Sequence, residues 1–311
     1  MTWTTDDIGD LTGRRALVTG GTGGLGFHTA LELGRHGADV VITARSEAKA
    51  SDTLDRLRRE APEASFDVLS LDLADLADVR RSADEALERF DRLDLLINNA
   101  GIMLTPKSFT KDGFELQMGT NHLGHFAFTA HLWDLLRASS ARVVALGSMA
   151  HTAVSGIDLD VLTPQGSSRR FHRWQAYGAS KLANLLFMRE LDRRVKVSGA
   201  PVVSVAAHPG YSATNLTKTG PSVRGFSLPG LAMHQVSKVV AQSAERGAWP
   251  TLMAATDPTF TGGEYVGPDG FQQMRGRPKL VGMTAAARDD VLARRLWDVS
   301  EQAAGLEFPA S

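Results

Sequence analysis

The sequence contains no cysteine, no long hydrophobic run and no excess of either charge. Without cysteine, disulfide bonds, thiolate metal sites and thiol nucleophiles are excluded. No apolar run approaches the roughly 20 residues of a membrane span, and the N-terminus does not resemble a signal peptide. The 34 Lys and Arg residues nearly balance 35 Asp and Glu residues, whereas a nucleic-acid surface needs clustered positive charge. We therefore expect a soluble cytoplasmic protein with neither membrane nor nucleic-acid partners.

Short apolar runs rich in Val, Ile and Leu alternate with longer segments of helical period. Most runs are continuous, as expected of strands that helices cover on both faces. Strands separated by helices form right-handed βαβ units and a parallel sheet. We therefore predict an α/β fold, a Rossmann-type doubly wound sandwich with a seven-stranded parallel sheet, as a single domain over residues 1–311. The predicted strands cover residues 15–20, 39–45, 66–72, 93–100, 141–148, 202–209 and 262–267.

A glycine-rich turn, TGGTGGLG, runs from Thr19 to Gly26 between the first predicted strand and a helical segment. Glycine lets the backbone turn tightly and approach a pyrophosphate, while the helix N-terminus offers free N–H groups and a favourable dipole. A glycine-rich stretch alone would be a weak signal. The strand before it and the helix after it predict a dinucleotide site, although the spacing differs from the commoner GxGxxG pattern.

A tyrosine and a lysine lie four residues apart in the segment WQAYGASKLANLLFMREL. The segment is apolar nearly all round, which predicts a buried helix. Residues four apart on a helix are neighbours, so Tyr177 and Lys181 would share a face. A cation beside a phenol favours the phenolate and would suit a general acid/base. An isolated pair of this kind would most often arise by chance.

Further motifs follow in a fixed order along the chain. They are NNAG at 98–101, Asn121 in TNHLGHF, Ser148 in ALGSMAH, and HPGYSATNL from His208. With the glycine turn and the Tyr–Lys pair, they resemble the short-chain dehydrogenase/reductase family over about residues 12 to 300. The sequence is most similar to the branch that contains retinol dehydrogenases and related bacterial oxidoreductases.

The end of the second predicted strand indicates which cofactor is used. An NAD enzyme typically has Asp or Glu there to bind the 2′-hydroxyl. This chain instead has Ala44, followed by Arg45 and Ser46. A guanidinium binds a 2′-phosphate through paired, charge-assisted hydrogen bonds, whereas a carboxylate would repel it. We therefore predict NADP(H); the alternative is an arginine that faces solvent at the end of a strand.

The resemblance implies an enzyme that moves a hydride between the nicotinamide and a carbonyl or secondary alcohol. It implies that Tyr177 is the general acid/base and that Lys181 tunes it and binds the nicotinamide ribose. Ser148 would hydrogen-bond the substrate oxygen, and Asn121 would bind a water of a proton relay. The predicted cofactor-binding residues are Gly20, Thr22, Gly24, Leu25, Gly26, Arg45, Ser46, Asp72, Leu73, Asn99, Ala100, Gly101, Tyr177, Lys181, Pro209, Gly210 and Thr214.

The histidines are interpreted as structural. His122 and His125 lie three residues apart, but nothing nearby supplies a third metal ligand, so we take them as packing residues and expect no metal. His151 and His208 are interpreted in the same way. A nucleophilic pair of Ser148 with His151 is excluded, because GSMA lacks the Gly-x-Ser-x-Gly elbow.

Two other functions use related folds. A non-catalytic NADP-binding redox sensor or scaffold is possible because fold does not determine function, although all four catalytic positions are filled here. A sugar-nucleotide epimerase or dehydratase usually has a different glycine spacing and a larger C-terminal substrate domain. By resemblance, the helices bearing Asn121 and Tyr177 could form a homodimer or homotetramer, while a monomer is also compatible.

Residues 149–175 and 211–236 interrupt the alternation and are predicted to be substrate loops or a lid. Their apolar residues favour a bulky apolar ketone, aldehyde or secondary alcohol. Reduction is the expected direction, because cells generally keep the NADP pool reduced. Arg169, Arg170 and Arg173 would instead favour an anionic substrate if they faced the pocket. The apolar residues are Met149, Val154, Phe171, Trp174, Leu216, Phe226, Leu228, Leu231 and Met233.

Overall fold

One eight-stranded sheet forms the centre of the described part of the protein, residues 3–163, 171–211 and 242–310 of a computed structural model. The strands are β1 Arg15–Val18, β2 Asp39–Ala44, β3 Phe66–Ser70, β4 Leu95–Asn98, β5 Arg142–Leu146, β6 Val203–Ala207, β7 Tyr265–Pro268 and β8 Pro278–Leu280. Their order is β3-β2-β1-β4-β5-β6-β7-β8. Neighbouring strands are parallel except β7 and β8, which are antiparallel.

All seven predicted strands are confirmed, each somewhat shorter than the apolar run that predicted it. The sequence does not predict β8. This strand has three residues, including Pro278 and Lys279, and lies at the edge of the sheet. Proline and lysine are typical of edge strands, because an edge needs no complete hydrogen-bond ladder and a charge there discourages further pairing. So short a segment also has no hydrophobic period.

Helices cover both faces of the sheet. They are α1 Gly24–Arg35, α2 Glu47–Glu60, α3 Leu76–Arg89, α4 Leu116–Met118, α5 Gly124–His131, α6 Trp133–Ala138, α7 Arg173–Ser198, α8 Ala244–Thr256 and α9 Asp290–Ala304. Several begin at side-chain N-caps, which satisfy the free N–H groups of a first turn: Ser46 caps α2, Asp75 caps α3 and Asp289 caps α9. Among the described residues, no helix is long and apolar enough to cross a membrane.

The alternation of side chains along β1 shows how the layers are built. Ala16 and Val18 pack into a core with residues of α1, α2 and α8, whereas Leu17 packs into a core with residues of α3, α5 and α7. Successive strand residues point to opposite faces, so each strand contributes to both cores. The chain order runs outward from β1 on one side and from β4 on the other. Such a reversal opens a crevice at the carboxyl ends of the strands, where α/β sheets bind ligands.

An aromatic cluster attaches α9 to the layer that contains α7. Trp297 is 1% exposed, and its ring centroid lies 5.9 Å from that of Phe187, 5.1 Å from that of Phe126 and 4.6 Å from that of Phe308. We expect Trp297→Ala to lower the free energy of unfolding by about 3–5 kcal/mol, because it leaves a large buried cavity. Urea unfolding measures this loss.

The control is Val291→Ala on the same helix, where the side chain is 59% exposed. This substitution should change the free energy of unfolding by no more than about 0.5 kcal/mol. A loss below about 1.5 kcal/mol for Trp297→Ala would show that the cluster collapses into the space or contributes little.

Candidate active site

Tyr177 and Lys181 both lie on α7 and are both buried, at 7% and 5% exposed. The sequence predicts this buried helix correctly. The Nζ atom of Lys181 lies 6.0 Å from the centroid of the Tyr177 ring. The phenol and the ammonium therefore share one buried face, as their spacing implies.

Ser148 lies two residues beyond the end of β5, at the N-cap of a 3₁₀ turn, Met149–Ala153. Its Oγ accepts a hydrogen bond from the backbone N–H of Ala150 at 3.1 Å. Its side chain also interacts with the phenol of Tyr177 and lowers the pKa of that group. The fold thus brings a residue at the edge of the sheet into contact with a residue on α7.

The ammonium of Lys181 contacts the backbone at the end of β5. Its Nζ donates to the carbonyl oxygen of Leu146 at 3.0 Å, and the side chain of Asn184 donates to the same oxygen at 2.9 Å. Burial lowers the pKa of Lys181 to about 8. The ammonium is therefore the main form at pH 7, although its titration lies close to neutral pH.

Asn121 lies in a π-helical turn, Gly119–Leu123, that joins α4 to α5. Its Oδ1 accepts from the N–H of Ile102 at 2.8 Å, and its Nδ2 donates to the carbonyl oxygen of Ile102 at 3.0 Å. A Cβ atom added to Gly101 would lie 3.3 Å from Asn121 Oδ1 and 3.5 Å from Lys181 Nζ. The amide and the ammonium therefore flank the same small space beside Gly101.

The pKa of Tyr177 differs from the sequence-based expectation. Burial raises the pKa of the phenol, and the hydrogen bond with Ser148 lowers it to a smaller extent. A phenolate would be costly in so buried a position, and the Lys181 ammonium is bonded to the carbonyl of Leu146. The prediction that Lys181 lowers the pKa of Tyr177 is therefore not confirmed, and the neutral phenol is the stable form at neutral pH.

The glycine turn lies tightly against the loop that follows β4. Gly20 has a φ of +66°, in the left-handed region that favours glycine. A Cβ atom on Gly20 would lie 3.0 Å from the Cα of Ala100, and one on Gly26 would lie 2.5 Å from Asn99 Nδ2. Any larger residue would push the turn and the loop apart. The close approach leaves the start of α1, at Gly24, beside the crevice, where a pyrophosphate would bind.

Thr19 connects β1 to the same loop. Its Oγ1 accepts from the N–H groups of Asn99 and Ala100, both at 2.9 Å, and its carbonyl oxygen accepts from Asn99 Nδ2 at 2.6 Å. These bonds fix the backbone of the loop relative to the glycine turn. The predicted cofactor residues Asn99, Ala100 and Gly101 thus lie next to the turn that precedes them by about 80 positions.

A polar cleft of about 350 Å³ lies beyond the end of β2. Arg45 and Asp72 face each other across it, with 3.8 Å between Arg45 NH1 and Asp72 Oδ1. The side chain of Arg45 is 64% exposed, so a ligand can reach the guanidinium. Lys49 lines the cleft as well. The cleft residues are Thr22, Ala44, Arg45, Ser46, Lys49 and Asp72.

The remaining predicted cofactor residues occupy three kinds of position. Leu25 and Leu73 are buried and belong to the hydrophobic cores. Pro209 and Gly210 follow β6 at the carboxyl edge of the sheet, and Gly210 has a φ of +65°. Thr214 lies outside the described residues. Direct contact of these residues with a cofactor stays a prediction.

Sequence reasoning missed Lys49, Ser180 and Asn184. The Oγ of Ser180 donates to the carbonyl oxygen of Tyr177 at 2.8 Å and accepts from Asn121 Nδ2 at 2.9 Å. Helical spacing could have found Ser180 and Asn184, because positions three, four and seven after Tyr177 lie on its face. Lys49 could have been found as a second cation in the first turn of α2.

The histidines have structural contacts, as predicted. His151 Nδ1 donates to the carbonyl oxygen of Ser148 at 2.6 Å, which is a backbone contact rather than activation of the hydroxyl. His208 Nε2 donates to Gln273 Oε1 at 2.9 Å, and burial lowers the pKa of His208 to about 4. Within residues 3–163, 171–211 and 242–310, no cluster of three or more His, Asp or Glu side chains could bind a metal ion.

The described parts of the predicted substrate segments give a mixed result. Val154 is half-buried and packs against the core that contains Leu182 and Leu185. Trp174 is 57% exposed, and Arg173 is also exposed. The segment 164–170, with two of the three predicted arginines, and nearly all of 211–236 lie outside the described residues.

This fold and site define an oxidoreductase that binds a nicotinamide dinucleotide. A model of the short chain dehydrogenase family matches residues 14–157. Retinol dehydrogenase 13 of Homo sapiens is 38% identical over 302 residues, which cover 96% of this chain and 86% of that protein. The chain therefore belongs to the short-chain dehydrogenase/reductase family and is retinol-dehydrogenase-like within it, as the sequence motifs predict.

Two solved structures are similar as well. The crystal structure of an uncharacterised protein from Mycobacterium paratuberculosis has 40% sequence identity and a TM-score of 0.80, covering 99% of this chain and 100% of that one. The Pseudomonas aeruginosa RhlG/NADP active-site complex has 28% identity and a TM-score of 0.64, covering 82% of this chain and 94% of that one. Both similarities support the Rossmann-type fold.

Proposed function

We propose that the protein is an NADP(H)-dependent oxidoreductase that reduces a bulky, mainly apolar ketone or aldehyde, or oxidises the corresponding alcohol. The position of Ser148 beside the Tyr177 phenol, whose pKa it lowers, carries the proposal. Lys181 and Asn121 lie at the same site: Lys181 Nζ is 6.0 Å from the centroid of the Tyr177 ring, and the Asn121 amide flanks the space beside Gly101 together with that ammonium. These four side chains supply a proton donor, a donor to the substrate oxygen, a cation and a polar amide, which carbonyl reduction requires.

The residues present fit a dinucleotide. At Gly20 and Gly26 an added Cβ atom would strike the neighbouring loop. The glycine turn therefore packs closely against that loop and leaves space for a pyrophosphate at the start of α1. Lys181 would bind the ribose at the nicotinamide end, and Arg45 would bind the phosphate at the adenosine end. When bound, the nicotinamide supplies the hydride to the carbonyl carbon.

The site residues would act on the carbonyl oxygen. Ser148 Oγ donates a hydrogen bond to that oxygen, polarises the carbonyl and orients it towards Tyr177. Tyr177 donates its phenolic proton as negative charge develops on the oxygen. Burial raises the pKa of Tyr177, so the phenol carries its proton at neutral pH and is in the form that reduction requires.

Lys181 and Asn121 would restore the proton. The phenolate that remains on Tyr177 would regain a proton by way of Lys181, whose Nζ lies 6.0 Å from the centroid of the Tyr177 ring. Because burial lowers the pKa of Lys181 to about 8, Lys181 can exchange a proton near neutral pH. Asn121, whose Oδ1 faces the same space beside Gly101, would bind the water that returns a proton to Lys181.

The charge of the adenosine cleft supports NADP(H) over NAD(H). Arg45 and Lys49 place two cations around the cleft, and Ser46 adds a hydroxyl. Asp72 is the acidic residue of the cleft and lies within 3.8 Å of Arg45. Ala44 occupies the position where a carboxylate would bind the 2′-hydroxyl of NAD. The structural relative RhlG, in complex with NADP, is consistent with this assignment.

We expect Arg45→Ala to lower kcat/KM for NADPH by about 10- to 100-fold, because a charge-assisted hydrogen bond to the 2′-phosphate is lost. The same variant should leave kcat/KM for NADH within about threefold of wild type. Steady-state kinetics with both cofactors measures the two effects. The double variant Arg45→Ala, Lys49→Ala should remove most of the remaining preference for NADPH over NADH.

Arg137→Ala is the matched control. This arginine lies on α6, which leads to β5, three strands away from β2 in the sheet, and its side chain is 59% exposed. Arg137→Ala should change kcat/KM neither for NADPH nor for NADH. A wild-type protein that prefers NADH, or an Arg45→Ala variant that loses both cofactors equally, would contradict the assignment of the 2′-phosphate site.

A panel of carbonyl compounds with NADPH tests the reaction itself. The compounds span size and charge, and oxidation of NADPH is followed by its absorbance. We expect bulky neutral ketones and aldehydes to react faster than small carboxylated ones; the reverse order would contradict the apolar substrate. Tight NADPH binding without turnover of any compound would instead support a non-catalytic sensor or scaffold.

A further inference from the structure

One buried histidine touches both halves of the site. His125 lies on α5 and is 3% exposed. Its Nδ1 lies 2.9 Å from the carbonyl oxygen of Asn121, and its Nε2 lies 2.9 Å from Thr19 Oγ1. Thr19 follows β1 at the start of the glycine turn, whereas Asn121 lies in the π-helical turn. The imidazole therefore bridges the cofactor-binding and the catalytic segments.

The contacts determine where the protons of this bridge lie. A carbonyl oxygen only accepts, so Nδ1 of His125 carries the hydrogen and donates to Asn121. Burial lowers the pKa of His125 to about 4, so the ring is neutral and Nε2 is an acceptor. The hydroxyl of Thr19 lies 2.9 Å from this nitrogen and 3.3 Å from the carbonyl oxygen of Ile97, so the shorter bond assigns its hydrogen to His125. That hydroxyl oxygen accepts in turn from the N–H groups of Asn99 and Ala100.

We propose that His125 is a positioning residue that couples the cofactor-binding loop after β4 to the backbone of Asn121, the residue that carries the catalytic amide. Every hydrogen bond in the chain points the same way, from the loop N–H groups through Thr19 and His125 to the Asn121 carbonyl, so each polarises the next. The proposal rests on the proposed function in one respect, namely the role of Asn121 in the proton relay.

The neighbouring histidine shows that burial on this segment does not by itself produce such a bridge. His122 is 2% exposed, and its Nε2 donates to Ser300 Oγ at 2.8 Å. Ser300 belongs to α9 and donates to the carbonyl oxygen of Leu296 on the same helix. His122 therefore connects α5 and its π turn to the C-terminal helix, and His125 connects it to the cofactor crevice.

Two substitutions separate the halves of the bridge. In His125→Asn the amide nitrogen takes the place of Nδ1 and can still donate to Asn121, but nothing reaches Thr19. In His125→Gln the amide oxygen takes the place of Nε2 and can still accept from Thr19, but the donor to Asn121 is lost. His125→Phe removes both contacts, and His122→Gln is the matched control.

NADPH affinity, measured by fluorescence titration, and the pH profile of kcat are the two readouts. We expect His125→Asn to weaken NADPH binding by about three- to tenfold with an unchanged pH profile. His125→Gln should keep the NADPH affinity but lower kcat at pH 7 by about tenfold and displace its pH profile. The Phe variant should show both effects, and the His122 control should change neither.

Equal effects of the Asn and Gln variants on both readouts would overturn the proposal and leave His125 as a packing residue. Unchanged NADPH affinity and an unchanged pH profile of kcat in His125→Phe would overturn it too. If His125→Phe does not fold, the comparison of His125→Asn with His125→Gln decides. If the wild-type protein turns over no carbonyl, the proposed function fails. The Asn and Gln variants then still test the bridge, because NADPH binding should distinguish them.

Discussion

Replacement of Tyr177 by phenylalanine is expected to lower kcat by about 10²- to 10⁴-fold, because carbonyl reduction then lacks its proton donor. The substitution keeps the buried ring and removes the hydroxyl that interacts with Ser148. NADPH affinity should therefore stay within about threefold of wild type. Stopped-flow turnover with the best substrate of the carbonyl panel, together with NADPH titration, measures both quantities.

Tyr265→Phe provides a matched control. Tyr265 is 2% exposed, and its hydroxyl has no hydrogen-bond partner among the described residues. Removing this phenol tests whether loss of any buried hydroxyl near the site reduces turnover; kcat should stay within about threefold. If Tyr177→Phe retained more than about a tenth of the wild-type kcat, the proton would have to come from another group.

Replacement of Lys181 by methionine should lower kcat/KM by about 10²- to 10³-fold, because the cation that would bind the ribose and return a proton to Tyr177 is lost. Methionine keeps a long apolar stem in the buried site, so the packing of α7 is largely preserved. Loss of the Lys181 bond to Leu146 leaves that carbonyl with the amide of Asn184. Steady-state kinetics measures the loss.

The pH dependence of NADPH binding provides a second readout that does not require turnover. The pKa of Lys181 is lowered to about 8 in the protein, and an anionic ligand binds the protonated form better. The NADPH dissociation constant of the wild type should therefore increase as the pH rises through about 8, and that of Lys181→Met should not.

Lys196→Met is the control on the same helix. The side chain of Lys196 is 53% exposed and pairs with Asp192 at 2.9 Å, away from the crevice. It should change neither kinetics nor the pH dependence of binding. A Lys181→Met variant that keeps wild-type kcat/KM would contradict a role for this ammonium in the reaction.

Local patterns in the sequence were sufficient for most of the fold. The seven parallel strands are confirmed because strands buried on both faces require continuous apolar runs, which few other segments have. The glycine turn was recognisable because a strand, closely spaced glycines and a helix follow one another directly. Strand β8 was not predicted, because an edge position imposes no comparable pattern on the sequence.

The residue types of the candidate site could also be predicted, because Tyr177 and Lys181 are near neighbours on one helix and the motifs follow a family order. Lys49 was missed because an exposed lysine in a first helical turn has many possible roles. His125 was interpreted as packing because its two partners lie four and 106 positions away.

The fold class, the dinucleotide turn and the four candidate catalytic side chains follow from the sequence, since each depends on local spacing or on a recognisable motif. Three contacts are visible only in the folded chain: Ser148 lies beside Tyr177, Lys181 bonds to Leu146, and His125 joins the two halves of the site. The direction in which the Tyr177 pKa shifts is likewise visible only there. These properties depend on burial and on contacts between distant segments, which appear only when the sheet and its helices come together.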